Sequence, residues 1–165
     1  MADYSHPKNR TVHTSITINA PSETIYRVIT DFAALPEWST FLVSVKPADG
    51  STSDPLAMGS KLNVTINPPE SSAMSFTSTV VLSDPPRGFA WVGGYRYVYL
   101  GKHMFLLEPA EEGQTKLVHR EEFSGVLYTP IMSWMGAGEK TRRGFDRFNE
   151  EVKARAERMA KEQAT

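Results

Sequence analysis

"ITINAPSETIYRVITDFAALPEWSTF", Ile16 to Phe41, is the stretch on which the fold turns. It continues an alternation that begins at Thr11. From Thr11 to Ala20 β-branched residues dominate and Val12, Ile16 and Ile18 share one face, the period-two pattern of a half-buried strand. The pattern then changes within two residues. Pro21 and Ser22 mark a helix start, Ile25, Val28, Ile29 and Phe32 recur at helical spacing, and Pro36 ends the stripe before Trp38. The segment reads as a strand followed by a pair of short helices.

Downstream, four strand-like segments follow: Phe41 to Lys46, Lys61 to Asn67, Ala73 to Ser83 and Gly88 to Gly94. The turn-rich stretches "PADGSTSDPLAMGS", "NPPESS" and "SDPPR" separate them, so hairpin follows hairpin and the sheet is antiparallel. Tyr95 to Pro109 and Gln114 to Gly125 add two longer strands around the loop "AEEG". Then the period changes to helical. Ile131, Trp134, Met135, Phe145, Phe148, Val152, Ala156 and Met159 mark one long amphipathic helix over residues 130–162. Some thirty residues at 1.5 Å each make a rod of roughly 45 Å, long enough to cross a sheet. Gly136, Gly138 and Gly144 interrupt its first half and either kink it or make room for something lying against it.

The chain has 165 residues, 40% of them hydrophobic, with no internal repeat or low-complexity linker, which is the size of a single domain over 1–165 with a polar arm at 1–10. Eighteen Lys and Arg nearly balance nineteen Asp and Glu, so no overall field draws the protein to nucleic acid. With no cysteine, disulfides and thiolate metal sites are excluded. No stretch approaches the ~20 apolar residues of a bilayer span, and "MADYSHPKNR" has no apolar signal-peptide run, so a cytoplasmic address without membrane insertion is expected. The N-x-T triplets at Asn9 and Asn63 are then chance matches to a glycosylation sequon.

The two longer strands carry the chemistry. In one, His103, Phe105 and Leu107 alternate with Lys102, Met104, Leu106 and Glu108; in the other, Thr115, Leu117, His119, Glu121 and Phe123 alternate with Lys116, Val118, Arg120, Glu122 and Ser124. The second set of each pair holds most of the charge and faces water, which turns His103, His119 and Glu121 inward. A loop through Ala110 to Gly113 sets Leu107 opposite either Thr115 or Leu117, and His103 accordingly opposite His119 or Glu121. Both registers cluster two imidazoles and a carboxylate on an apolar face. Such a trio suits polar lining of a ligand pocket, a satisfied network closing the sheet, or acid–base catalysis. A metal site is disfavoured because sheet neighbours seldom converge and no further ligand is evident.

Trp91 and the run Tyr95, Tyr97, Tyr99 supply aromatic surface for packing or for stacking on a ligand, with Gly93-Gly94 between them suggesting a bulge or bend. Leu56, Ala57, Met58 and "NPPESS" fit the rim of a pocket. "MGAGEKT" fails as a phosphate loop, since Glu139 stands where that motif needs glycine.

The element order resembles the START-like helix-grip superfamily, often labelled SRPBCC or polyketide cyclase/dehydrase and lipid-transport proteins. "ITINAPSETIYRVITDFAALPEWSTF" is similar to its opening I-x-I-x-A-P-x-E-x-V-W-x-V-x-x-D-F-x-x-Y-P-E-W-x-P-F, and "GKHMFLLEP", "GQTKLVHREEFSGVL" and "GFDRFNEEVKARAE" resemble its later strands and closing helix. The resemblance implies an α+β fold in which a curved seven-stranded antiparallel sheet, two short helices and a long C-terminal helix enclose a cavity for a hydrophobic small molecule. The expected lining is Trp91, Tyr97, His103, Phe105, His119, Glu121, Phe123, Trp134, Met135 and Phe145. Two functions are expected: binding of a polyketide-like or aromatic compound, or a cofactor-independent cyclase, dehydratase or isomerase with His119 and Glu121 as acid and base and His103 or Tyr97 orienting the substrate. Neither reading calls for a cofactor or a metal.

Overall fold

The computed structural model describes residues 10–48, 54–95, 99–125 and 137–164. The elements are β1 (Thr11–Ile18), α1 (Ser22–Thr30), α2 (Leu35–Trp38), β2 (Leu42–Pro47), β3 (Lys61–Ile66), β4 (Met74–Asp84), β5 (Gly88–Tyr95), β6 (Tyr99–Pro109), β7 (Thr115–Ser124) and α3 (Ala137–Gln163). All seven strands form one antiparallel sheet in the order β1-β7-β6-β5-β4-β3-β2. Neighbours in sequence are neighbours in the sheet except where β1 pairs with β7, which brings the start of the chain beside its last strand. The sheet is open, with β1 and β2 as its edges. This is the α+β helix-grip arrangement.

The opening stretch folds with one correction. Thr24, Ile25, Val28 and Ile29 bury one face of α1, which closes at Asp31. Pro36 does not end a helix; it sits in the first turn of α2, where its missing N–H is no loss. The β5–β6 hairpin supplies a second correction. Its register runs unshifted through Gly93↔Gly101 and Gly94↔Leu100 to Tyr95↔Tyr99, so Tyr95 closes β5 rather than opening β6. No bulge falls at the glycines; the register shifts lie at Leu42/Ser44 and Val80/Leu82. Met104 and Val118 on the convex face are also buried, since an interior strand of a wide sheet is shielded by neighbours on both sides.

On the concave side α3 presents Phe145, Phe148, Asn149, Val152 and Ala156, all buried, and its contacts run along β1 and α1. They join Ile18, Ile25, Leu35, Phe41, Leu62 and Trp91 in one hydrophobic core. Leu56, expected at a pocket rim, packs against that core, whereas Met58 is exposed. Polar ties hold the second half of the rod: Lys153 Nζ donates to Thr17 O at 2.6 Å, and the backbone N–H groups of Asn19 and Thr40 donate to Glu157 Oε1 at 2.9 Å and Glu151 Oε2 at 3.0 Å. Nearer its start, Arg143 grips Glu70 with two bonds of 3.1 Å and Lys140 Nζ donates to Glu70 O at 3.2 Å. The expected helix over 130–136 lies outside the described residues.

Gly144 answers one question posed by the helix glycines. A methyl group there would overlap the Phe41 ring, which packs edge-on to Phe145 with centroids 5.7 Å apart. The glycine makes room for a core side chain. Gly144→Ala is expected to destabilise the fold by about 1–3 kcal/mol through overpacking, and Phe41→Leu in the same chain should recover part of that loss. Urea denaturation of the two single variants and the double variant reads this directly; additive losses would mean that the contact is not the cause.

Candidate functional site

Strand β7 organises the polar groups of the concave face. His119 lies opposite Thr14 on β1 and Phe105 on β6, and Glu121 lies opposite Val12 and His103. Of the two registers open to the β6–β7 hairpin, the observed one pairs Leu107 with Leu117 and His103 with Glu121. The two histidines are therefore diagonal neighbours, within the reach of long side chains on one face. Their Nε2 atoms meet at 2.8 Å.

The chain of contacts continues in both directions. His119 Nδ1 is 3.0 Å from Asn149 Oδ1, and Asn149 Nδ2 donates to Thr14 Oγ1 at 2.8 Å. At the other end His103 Nδ1 is 3.5 Å from Glu121 Oε2. The polarity of this chain is set from the helix side. With its amide N–H directed to Thr14, Asn149 offers His119 an acceptor, so Nδ1 of His119 carries the proton. A neutral His119 then has its lone pair on Nε2 and accepts from His103 Nε2–H. That leaves His103 Nδ1 facing the Glu121 carboxyl.

Aromatic rings complete the enclosure. The His119 ring stacks on Phe145 with centroids 3.8 Å apart and planes 7° from parallel, and Phe105 and Phe148 lie at 4.7 and 5.5 Å. Trp91 stacks on His103 at 5.1 Å, also 7° from parallel. His119 is 0% exposed, His103 is 6% exposed, and the Glu121 side chain is 17% exposed. Burial holds the His119 imidazole well below the usual histidine range, and the neighbouring His103 pushes it further down; the bonds to Asn149 and the Phe145 backbone oppose this without reversing it. A charged ring in this position would leave water for an apolar box.

Most of the anticipated site residues converge. Trp91, His103, Phe105, His119, Phe123 and Phe145 are buried, and Glu121 is the group of this set with residual exposure. At the level of His119 the space between sheet and helix is filled by side chains. Glu121 Oε1 lies where a methyl group on Gly101 would stand, so the carboxylate lies over β6 at that glycine. Tyr97, Trp134 and Met135 lie outside the described residues, as does the facing of Tyr95 and Tyr99. Two members of the polar chain, Asn149 and Thr14, were not anticipated. Asn149 could have been found as the polar residue at i+4 from Phe145 and i−3 from Val152 on a buried stripe, and Thr14 as the hydroxyl between Val12 and Ile16. Residues 67–72 and Arg147 bound a separate concavity of about 580 Å³. Among the described residues no group of three or more His, Cys, Asp or Glu is placed to hold a metal ion, and no helix is long and apolar enough to cross a membrane.

An open curved sheet that grips a long helix, with a polar chain set in its aromatic concave face, defines the helix-grip class. The chain matches the family described as polyketide cyclase / dehydrase and lipid transport over residues 9–157, and it belongs to that family. No curated protein sequence matches it. Among solved structures it is similar to the Zhui aromatase/cyclase from a Streptomyces species, at 16% identity and a TM-score of 0.69 over 90% of this chain and 94% of that one. A hypothetical protein from Helicobacter pylori gives 12% identity and a TM-score of 0.71 over 94% and 97%. The di-domain ARO/CYC StfQ of the steffimycin biosynthetic pathway gives 14% identity and a TM-score of 0.64 over 95% of this chain and 53% of that one, so the chain spans about half of StfQ. At these identities the likeness concerns the fold.

Two measurements check the polar chain. In ¹⁵N-histidine spectra His119 should remain neutral with its proton on Nδ1 from pH 5 to 8, and an Nε2–H or charged ring would break the polarity derived above. Stability should also depend on pH. Unfolded, His119 takes up its proton near pH 6.5; folded, it does so at much lower pH. Between those values the unfolded state binds more protons, so stability falls as pH drops below about 6.5, by up to about 1.4 kcal/mol per pH unit from this group, and is unaffected by it above. Urea denaturation at pH 5 and 7 should show this component in the native sequence and its absence in His119→Gln.

Proposed function

We propose that the chain binds a hydrophobic small molecule of polyketide-like or aromatic type on the concave face of the sheet, with the His103–Glu121 pair at the polar end of the site. The observation that carries this reading is the position of Glu121. A carboxylate on an apolar face is costly unless it is paired or hydrogen-bonded, and this one retains exposure, faces His103 and has an oxygen lying over a glycine. Membership of the polyketide cyclase/dehydrase and lipid-transport family supports a ligand-binding or cyclising role in general terms. Because the space beside His119 is occupied by Phe105, Phe145 and Phe148, the ligand sits toward the Gly101 and Phe123 end of β6 and β7.

A second reading has its own support: a cofactor-independent cyclase, dehydratase or isomerase. A carboxyl and an imidazole that face each other at 3.5 Å are an acid–base couple by type, and His119 presents a fixed acceptor behind them. In this reading His103 and Glu121 exchange a proton with the substrate. His119 serves as a positioning residue, since both its ring nitrogens are engaged within the protein.

Titration of the purified chain with the neutral dye Nile red, followed by displacement with aromatic compounds, tests the binding reading; absence of saturable, displaceable binding would overturn it. Glu121→Gln separates the two readings. A binder should show a modest change in affinity, whereas turnover of a poly-β-ketone substrate should fall by about 10²- to 10⁴-fold if Glu121 transfers a proton.

A further inference from the structure

Ser78 lies on β4, opposite Leu62 on one side and Gly93 on the other, on the same concave face as Glu121. It is 1% exposed, and its hydroxyl has no hydrogen-bond partner among the described residues. A buried hydroxyl left unpaired is unfavourable and uncommon. Its position is informative. Ser78 Oγ occupies the place where a methyl group on Gly93 would stand, as Glu121 Oε1 does at Gly101, and Gly93 and Gly101 are direct cross-strand partners. Directly opposed Cβ positions on neighbouring strands are about 4.5–5.5 Å apart. Ser78 Oγ and Glu121 Oε1 therefore lie over two directly opposed glycines on the same face, one a hydroxyl without a partner and the other a carboxylate oxygen. Glu121 turns its other oxygen, Oε2, to His103 at 3.5 Å.

We propose that Ser78 Oγ and Glu121 Oε1 form a two-point subsite across the Gly93–Gly101 pair that takes a hydroxyl, phenolic or enolic, of an otherwise apolar ligand. The chemistry of the two ends selects this group. Ser78 supplies an O–H that needs an acceptor, and the carboxylate oxygen accepts. A ligand hydroxyl satisfies both at once; a carbonyl or ether oxygen can accept from Ser78 but cannot donate to Glu121. Around the pair the walls are aromatic: the Phe76 ring lies against Gly93, Phe123 is the cross-strand partner of Gly101, and Trp91 and His103 are the next residues on the same face. The rest of the ligand is accordingly a flat hydrophobic frame. The subsite rests on the ligand-binding reading above and adds Ser78, Gly93 and Gly101 to it.

Three probes of nearly equal size test the subsite by calorimetry on the full chain: 2-naphthol, 2-methoxynaphthalene and naphthalene. The native sequence is expected to bind 2-naphthol about tenfold more tightly than 2-methoxynaphthalene, which lacks the donor. Ser78→Ala should weaken 2-naphthol by about five- to tenfold and leave naphthalene unchanged. Its melting temperature should equal or exceed that of the native chain, because an unpaired buried hydroxyl is removed. Ser78→Thr keeps the hydroxyl and should retain the preference. If the probes bind without preference for the hydroxyl, or if the preference survives Ser78→Ala, the subsite is overturned and the binding reading stands. If none of the three binds, both fall together.

Discussion

The hydrogen bond between Asn149 and His119 is the constraint on which the interior depends. It joins the long helix to the central strand of the polar row, and its direction decides the direction of every bond beyond it. Because Asn149 spends its amide donor on Thr14, His119 must donate to it, and His103 must donate to His119. Four secondary-structure elements, β1, β6, β7 and α3, thus agree on one arrangement of protons. A polar network inside an aromatic core is tolerable only when its members are satisfied, and here hydrogen bonds run from Thr14 through Asn149 and His119 to His103, whose other nitrogen faces Glu121 at 3.5 Å.

The sheet register makes this possible. A one-residue slip of β7 against β6 would turn the whole row to the convex face, so the hydrophobic pattern that fixes the register also fixes the chemistry. The same register sets glycine opposite glycine at positions 93 and 101, where side chains from β4 and β7 lie over the strands between them. The missing Cβ at Gly101 lets a carboxylate rooted on β7 lie over β6, and the missing Cβ at Gly93 leaves room for Ser78 and Phe76 of β4. The glycines thus belong to the placement of the site, while Gly144 belongs to the packing of the core, and nothing in composition separates the two cases.

The number, order and direction of the strands were legible in the sequence, because alternation and turn residues are local signals with a fixed period. So was the inward facing of His103, His119 and Glu121, which needed no more than parity along each strand. The choice between registers was not, since the loop through Ala110 to Gly113 allows both and leaves the same residues on the concave face in each. Asn149 and Ser78 escaped for another reason. Each is a lone polar residue within an apolar pattern, and its meaning appears only when the partner, or the lack of one, comes from a distant part of the chain. Pro36 was misplaced because proline punctuates the start of a helix as readily as its end.

The rod is held differently at its two ends. Phe148, Val152 and Ala156 sink its second half into the core, while its opening turns rest on Arg143 and Lys140 gripping Glu70 from solvent. Dissolved ions shield the second kind of contact within a few ångströms and leave the first untouched. Rising ionic strength therefore loosens the β3–β4 loop from the opening turns of the helix while the aromatic floor and its row of protons stay as they are.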